Sequence, residues 1–162
     1  MKNFFEIFDF EINFEIDKEE LEKRYLNLQK HFHPDILSSS DIEQSLTINE
    51  AYKTLKDDFN RACYLLSLKS IDINDEKNFI QVDKSTLQEI LLLQEEIFSI
   101  TNKIKIKKMT LKIQQQINDL LINFVNAFKE NKINDATQIL IKAKYLKKSL
   151  IDIKLKNKLF IQ

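Results

Sequence analysis

The chain has 162 residues, 43% of them hydrophobic and 31% charged, which is enough apolar material for a core and excludes wholesale disorder. Lys+Arg and Asp+Glu balance at 25 each, so the whole chain carries no net charge that would draw it to nucleic acid or a membrane. Gly is absent, which removes dinucleotide fingerprints and P-loops, and the single Cys63 allows neither an internal disulfide nor a Cys-rich zinc site. Residues 1–82 hold 10 basic and 17 acidic groups while 83–162 hold 15 and 8, so the halves stand near −7 and +7, as expected for two units. A single thiol with no disulfide framework, no apolar run near a bilayer span and an acidic, aromatic start unlike a signal peptide predict a soluble protein of the reducing cytoplasm.

With one Pro and no Gly, the spacing of apolar residues predicts helices throughout. Residues 3–8 read as a short helical turn. Phe10, Ile12, Phe14 and Ile16 alternate, but no second strand is available, so 9–16 is expected as a packed loop. Asp17 with Glu20 resembles a capping box opening a helix to about residue 32, with Leu21, Tyr25, Leu28 and Phe32 on its apolar stripe. Lys23 and Lys30 lie opposite that stripe and Arg24 on its flank. Pro34 forces a stop at His33.

After the polar run Ser38-Ser39-Ser40, Asp41 is the expected N-cap of a second long helix carrying Ile48, Tyr52, Leu55 and Phe59. A shorter helix over about 60–69 follows. Residues 71–83 are polar and turn-rich, and are expected as a linker. Three further helices are predicted over 84–102, 106–130 and 134–160, the second burying Ile113, Ile117, Leu120, Phe124 and Phe128, the third Ile139, Ala143, Leu146, Leu150 and Ile153. The short turn 131–134 makes the last two antiparallel, so a three-helix bundle is expected. The fold class is all-α.

The tripeptide His33-Pro34-Asp35, between two antiparallel amphipathic helices, is the main functional signal. In this setting the sequence resembles the J domain, the module that stimulates chaperones of the DnaK/HscA class to hydrolyse ATP. Asn3-Phe4-Phe5-Glu6-Ile7-Phe8 is similar to its opening turn, Leu28-Gln29-Lys30-His31-Phe32-His33-Pro34-Asp35 to the end of its second helix, and Ile48-Asn49-Glu50-Ala51-Tyr52-Lys53-Thr54-Leu55 to its third. Arg61-Ala62-Cys63-Tyr64-Leu65-Leu66, then a linker and Gln94-Glu95-Glu96-Ile97, resemble the HscB family of J-protein co-chaperones in iron–sulfur cluster assembly. The resemblance implies a J domain over 1–70, a linker over 71–83 and a scaffold-binding bundle over 84–162. Ile36 stands where a Lys often follows the tripeptide, and the four-Cys zinc module of longer family members is not matched.

The chemistry expected of the tripeptide is recognition. Pro34 rigidifies the loop, Asp35 offers acceptors to a chaperone donor, and His33 offers a donor and an acceptor. Lys23, Arg24 and Lys30 would meet an acidic chaperone surface. His31 and His33 as a metal pair fail because positions i and i+2 share no helix face and no Cys or carboxylate cluster completes a site. Cys63 is expected as buried filler. The Lys105, Lys107, Lys108, Lys112 run lacks arginine and aromatic interleaving, so it is expected as a solvated surface rather than a nucleic-acid patch.

In the helix from 84 to 102, Leu87, Ile90, Leu93, Ile97 and Ile100 suffice for packing. Leu91, Leu92 and Phe98 are surplus, and Leu91 and Leu92 fall on the side bearing Glu95. Surplus apolar residues beside a carboxylate suggest a docking surface, the alternative being packing against the first unit. The HscB resemblance implies that this surface binds an IscU-like iron–sulfur scaffold through Leu87, Gln88, Leu91, Leu92 and Glu95, with Tyr145 from the last helix. Gln88 and Leu92 depart in type from the residues of the best-known members. No catalytic residue, metal or cofactor is expected, and no nucleic-acid or membrane partner. A J-protein for other clients, a helical adaptor and an unrecognised hydrolase are the competing readings, the last lacking any assembled nucleophile or base.

Overall fold

The computed structural model describes residues 2–30, 39–74 and 82–159, and among these it contains seven helices and no strand. The chain divides into two compact units, 1–71 and 72–162. No helix among the described residues is long and apolar enough to cross a membrane.

In the first unit α1 (Phe4–Ile7) exists because its start is closed by a reciprocal capping box. The Asn3 side chain accepts from the Glu6 amide at 3.0 Å, and the Asn3 amide donates to the Glu6 carboxylate at 3.0 Å. Stacking of Phe4 on Tyr64 at 4.4 Å, with the Phe4 amide donating to the Tyr64 hydroxyl, ties α1 to α4 (Asp58–Ser67). Phe5 and Phe8 are buried beneath it.

Asp17 caps α2 (Lys18–Gln29) as expected, accepting from the Glu19 and Glu20 amides. The other half of the expected box is replaced, because the Glu20 carboxylate turns to Arg24 at 2.8 Å. That hydrogen bond holds the Glu20 carboxyl below its ordinary value. α2 packs on α3 (Ser39–Lys56) through Tyr25 stacked on Tyr52 at 3.9 Å, while Asn49 accepts from the Tyr25 hydroxyl and the Gln29 amide. α3 begins two residues before Asp41, which therefore lies in the first turn rather than at the cap. One residue, Asp57, separates α3 from α4 and caps the latter, so Phe59 belongs to α4. Cys63, expected to be buried, is half-buried.

The loop 9–16 is pinned by the only two arginines of the chain. The Arg24 guanidinium donates to the Phe8 and Asp9 carbonyls and covers the Phe10 ring at 4.7 Å. Arg61, 3% exposed, donates to Phe14 O and Leu55 O, pairs with Asp58 at 2.5 Å and covers the Phe14 ring at 4.7 Å. A planar fork can serve two carbonyls and a ring at once, which an ammonium cannot. Burial alone would raise the Asp58 carboxyl, but hydrogen bonds from Lys18 and Arg61 outweigh it and leave the group below its usual range.

In the second unit α6 (Lys103–Lys129) and α7 (Ile133–Leu159) form a long antiparallel hairpin, and α5 (Lys84–Ser99) lies parallel to α7. The buried positions of α6 are Ile106, Met109, Ile113, Ile117, Leu121, Phe124, Val125 and Ala127, with Leu120 and Phe128 only partly covered. On α7, Leu140 is fully buried in place of Ile139. Both helices have 27 residues, and over that length a fixed four-three step drifts from the true 3.6-residue period. Within the segment expected as a linker, Ile73 is buried and its carbonyl accepts from Lys144 of α7 at 2.8 Å, so this residue packs as part of the second unit.

The absence of glycine leaves a signature at three turns. Asp9, Ser70 and Asn131 have φ of 52, 63 and 58°. Each ends a helix with the paired Schellman bonds: Phe10 N to Phe5 O and Asp9 N to Glu6 O; Ile71 N to Leu66 O and Ser70 N to Ser67 O; Lys132 N to Ala127 O and Asn131 N to Phe128 O. Asp and Asn tolerate this region better than Ser does.

Two stability outcomes follow. Ser70→Gly relieves the left-handed penalty and raises unfolding stability by about 1 kcal/mol in a urea titration. Arg61→Ala leaves buried carbonyls unpaired and lowers stability by about 3 kcal/mol in the same measurement.

Candidate functional site

The tripeptide His33, Pro34 and Asp35 lies outside the described residues, as do His31 and Phe32; α2, which leads to it, is described in full. Its outward face presents Lys23, 72% exposed at the side chain and 3.5 Å from Glu20, together with exposed Lys30 at the C-cap. Arg24, expected beside them as a docking cation, is instead committed to the Phe8 and Asp9 carbonyls, Glu20 and the Phe10 ring. Its flank position turned it toward the loop. Leu26, not singled out in the sequence, is exposed between the two lysines. Its spacing was legible: it stands three residues after Lys23 and four before Lys30, hence on their face.

The surface on α5 is defined by how α7 holds that helix. Three tethers recur every seven residues along α7. Lys142 pairs with Glu89 at 2.5 Å, buried Ser149 accepts from the Gln94 amide at 2.9 Å, and Lys156 donates to the carbonyls of Ile97 and Phe98. The last contact places a cation at the C-terminal end of α5, where orphan carbonyls and the helix dipole favour one. Leu93, Ile97 and Ile100 are buried on the inner side and Ile90 is half-buried.

The outer side is left to solvent. Leu91 is 66% and Leu92 59% exposed, Gln88 and Glu95 are exposed, and Leu87, expected in the packing stripe, is 42% exposed. Five of the six residues expected to bind a partner therefore share the outer surface of one helix. The sixth, Tyr145, is half-buried one turn before the Ser149 tether. Leu92 also borders a groove of about 410 Å³ between α5, α6 and α7, bounded by the Glu89–Lys142 and Glu96–Lys112 pairs. Lys105, Lys107, Lys108 and Lys112 are exposed at the start of α6.

Residues 3–64 match the family model of the DnaJ domain, and residues 82–154 that of the HSCB C-terminal oligomerisation domain. An iron–sulfur cluster co-chaperone protein HscB homolog of Arabidopsis thaliana is 29% identical over 158 residues, a match spanning 93% of this chain and 62% of that protein. A co-chaperone protein HscB homolog of Acinetobacter baumannii is 31% identical over 153 residues, spanning 93% of this chain and 88% of that protein. The crystal structure of human co-chaperone protein HscB is similar with a TM-score of 0.87 at 28% identity, covering 97% of this chain and 83% of that one. An all-helical chain that joins a DnaJ domain to an HscB C-terminal domain, and aligns with HscB proteins along nearly its whole length, belongs to the HscB family of co-chaperones.

Proposed function

We propose that the protein is a co-chaperone of iron–sulfur cluster assembly that brings an IscU-like scaffold to a DnaK/HscA-type chaperone and triggers that chaperone's ATP hydrolysis. The observation that carries this reading is the joining of a DnaJ domain to an HscB C-terminal domain whose α5 exposes Leu87, Leu91 and Leu92 together.

The two ends divide the work. His33, Pro34 and Asp35 act on the chaperone's conformation, and the protein itself carries out no bond-making step. A loop of this kind accelerates hydrolysis only through contacts that favour the hydrolysis-competent state over the resting one. Lys23 and Lys30, with Leu26 between them, bring an acidic chaperone surface into register and raise the encounter rate. The α5 face, with Gln88, Glu95 and Tyr145 at its margins, holds the scaffold through apolar burial at its centre. The single thiol, Cys63, fits a cytoplasmic site of action.

The trigger is tested by His33→Gln in a steady-state ATPase assay of the cognate chaperone. Stimulation falls close to the basal rate while scaffold affinity is unchanged; wild-type stimulation would end the J-protein mechanism for this chain. The docking face is tested by the double substitution Leu91→Ser and Leu92→Ser. Because both side chains are exposed, the melting temperature barely moves, while scaffold binding weakens by about 2–4 kcal/mol by calorimetry. A large drop in melting temperature with intact binding would overturn the assignment.

A further inference from the structure

Phe98 is 87% exposed, above every other large hydrophobic side chain identified as exposed among the described residues. Leaving a Phe in water forgoes the favourable transfer of one of the largest apolar side chains, so its position calls for an explanation. It stands eleven residues after Leu87 and seven after Leu91, and at 3.6 residues per turn the three side chains fall within roughly 40° of arc. The apolar face of α5 therefore continues to the last turn of the helix.

The Phe98 end is also the best-fixed part of that face. Lys156 of α7 donates to the carbonyls of Ile97 and Phe98, and its ammonium lies 5.4 Å from the centroid of the Phe98 ring. Neighbouring Asp152 accepts from the Gln94 amide at 3.4 Å. An aromatic side chain on a clamped helix end loses little conformational freedom on binding, which is the usual character of an interface anchor. Glu95, Asp152 and Lys156 are the charged side chains of the recess beside Phe98, two carboxylates against one ammonium, so the balance there is negative.

We propose that Phe98 anchors the far end of the scaffold interface, inserting into an apolar recess of the iron–sulfur scaffold protein that is rimmed by basic side chains. The inference rests on the reading of α5 as the scaffold-docking face. It extends the α5 residues implied by family resemblance, which end at Glu95, by three residues.

The test is calorimetric titration of the cognate scaffold protein into the full chain, with Phe98→Ala and Leu91→Ser measured beside wild type, and sedimentation of each protein alone. Phe98→Ala is expected to raise the dissociation constant about 30-fold, the size of a hot-spot truncation, with no change in melting temperature. If Phe98→Ala binds like wild type while Leu91→Ser is weakened, the anchor is wrong and the docking face stands. If both bind like wild type, the docking face falls as well. If Phe98→Ala keeps scaffold affinity but dissociates a self-associated form, the strip ends in a contact between copies, and the proposal is overturned.

Discussion

The first unit depends on two guanidinium groups that turn an awkward segment into a fixed one. Residues 9–16 cross the surface without a helix or a strand partner, so their carbonyls need donors and their phenylalanines need cover. Arg24 reaches in from α2 and Arg61 from α4. Each supplies hydrogen bonds to carbonyls and a planar cation over a ring. In a chain where 23 of 25 basic residues are lysine, arginine stands at the two places where a planar, multidentate donor is needed. By pinning the loop, these side chains join α1, α2 and α4 and so orient α2, whose outward face carries Lys23, Leu26 and Lys30.

The second unit solves a different problem: how to hold a helix firmly while leaving one of its faces bare. α6 and α7 bury most of their apolar residues against each other, and the Asn131 turn sets that hairpin. α5 is then fastened by polar tethers from Lys142, Ser149 and Lys156, about two helical turns apart on α7, to Glu89, Gln94 and the carbonyls of Ile97 and Phe98. Attachment through edges and helix end needs only a narrow apolar seam of Leu93, Ile97 and Ile100. The rest of α5 is free to present side chains to a partner.

The two faces use different physics. The α2 face is a pair of cations around one apolar side chain, suited to a rapid, salt-sensitive encounter. The α5 face is aliphatic and aromatic with carboxylates at its edge, suited to longer residence through buried area. On the function proposed above, a client held by the second while the first engages a chaperone would be presented at high effective concentration, the advantage of covalently joining the two modules.

Much of this is legible in the amino-acid sequence. Helical spacing without glycine made the chain all-α, the charge reversal marked two units, and Leu91 and Leu92 stood out because packing did not need them. These are local properties, set by periodicity and composition along one segment. Other features depended on partners distant in sequence. Arg24 looked like a docking cation until the carbonyls of Phe8 and Asp9 claimed it. Glu20 left its expected capping role for Arg24, whereas Asn3 and Glu6 formed a box within too short a segment to announce itself. Leu121 rather than Leu120 entered the core because the phase of a 27-residue helix is set by its neighbour. The sequence by itself determined which segments are helical and which of them carry spare apolar surface, since both follow from short-range spacing. Only the tertiary structure decided which charged groups are consumed inside a unit and that Lys156 clamps the Phe98 end of α5, because each depends on a side chain brought from another segment.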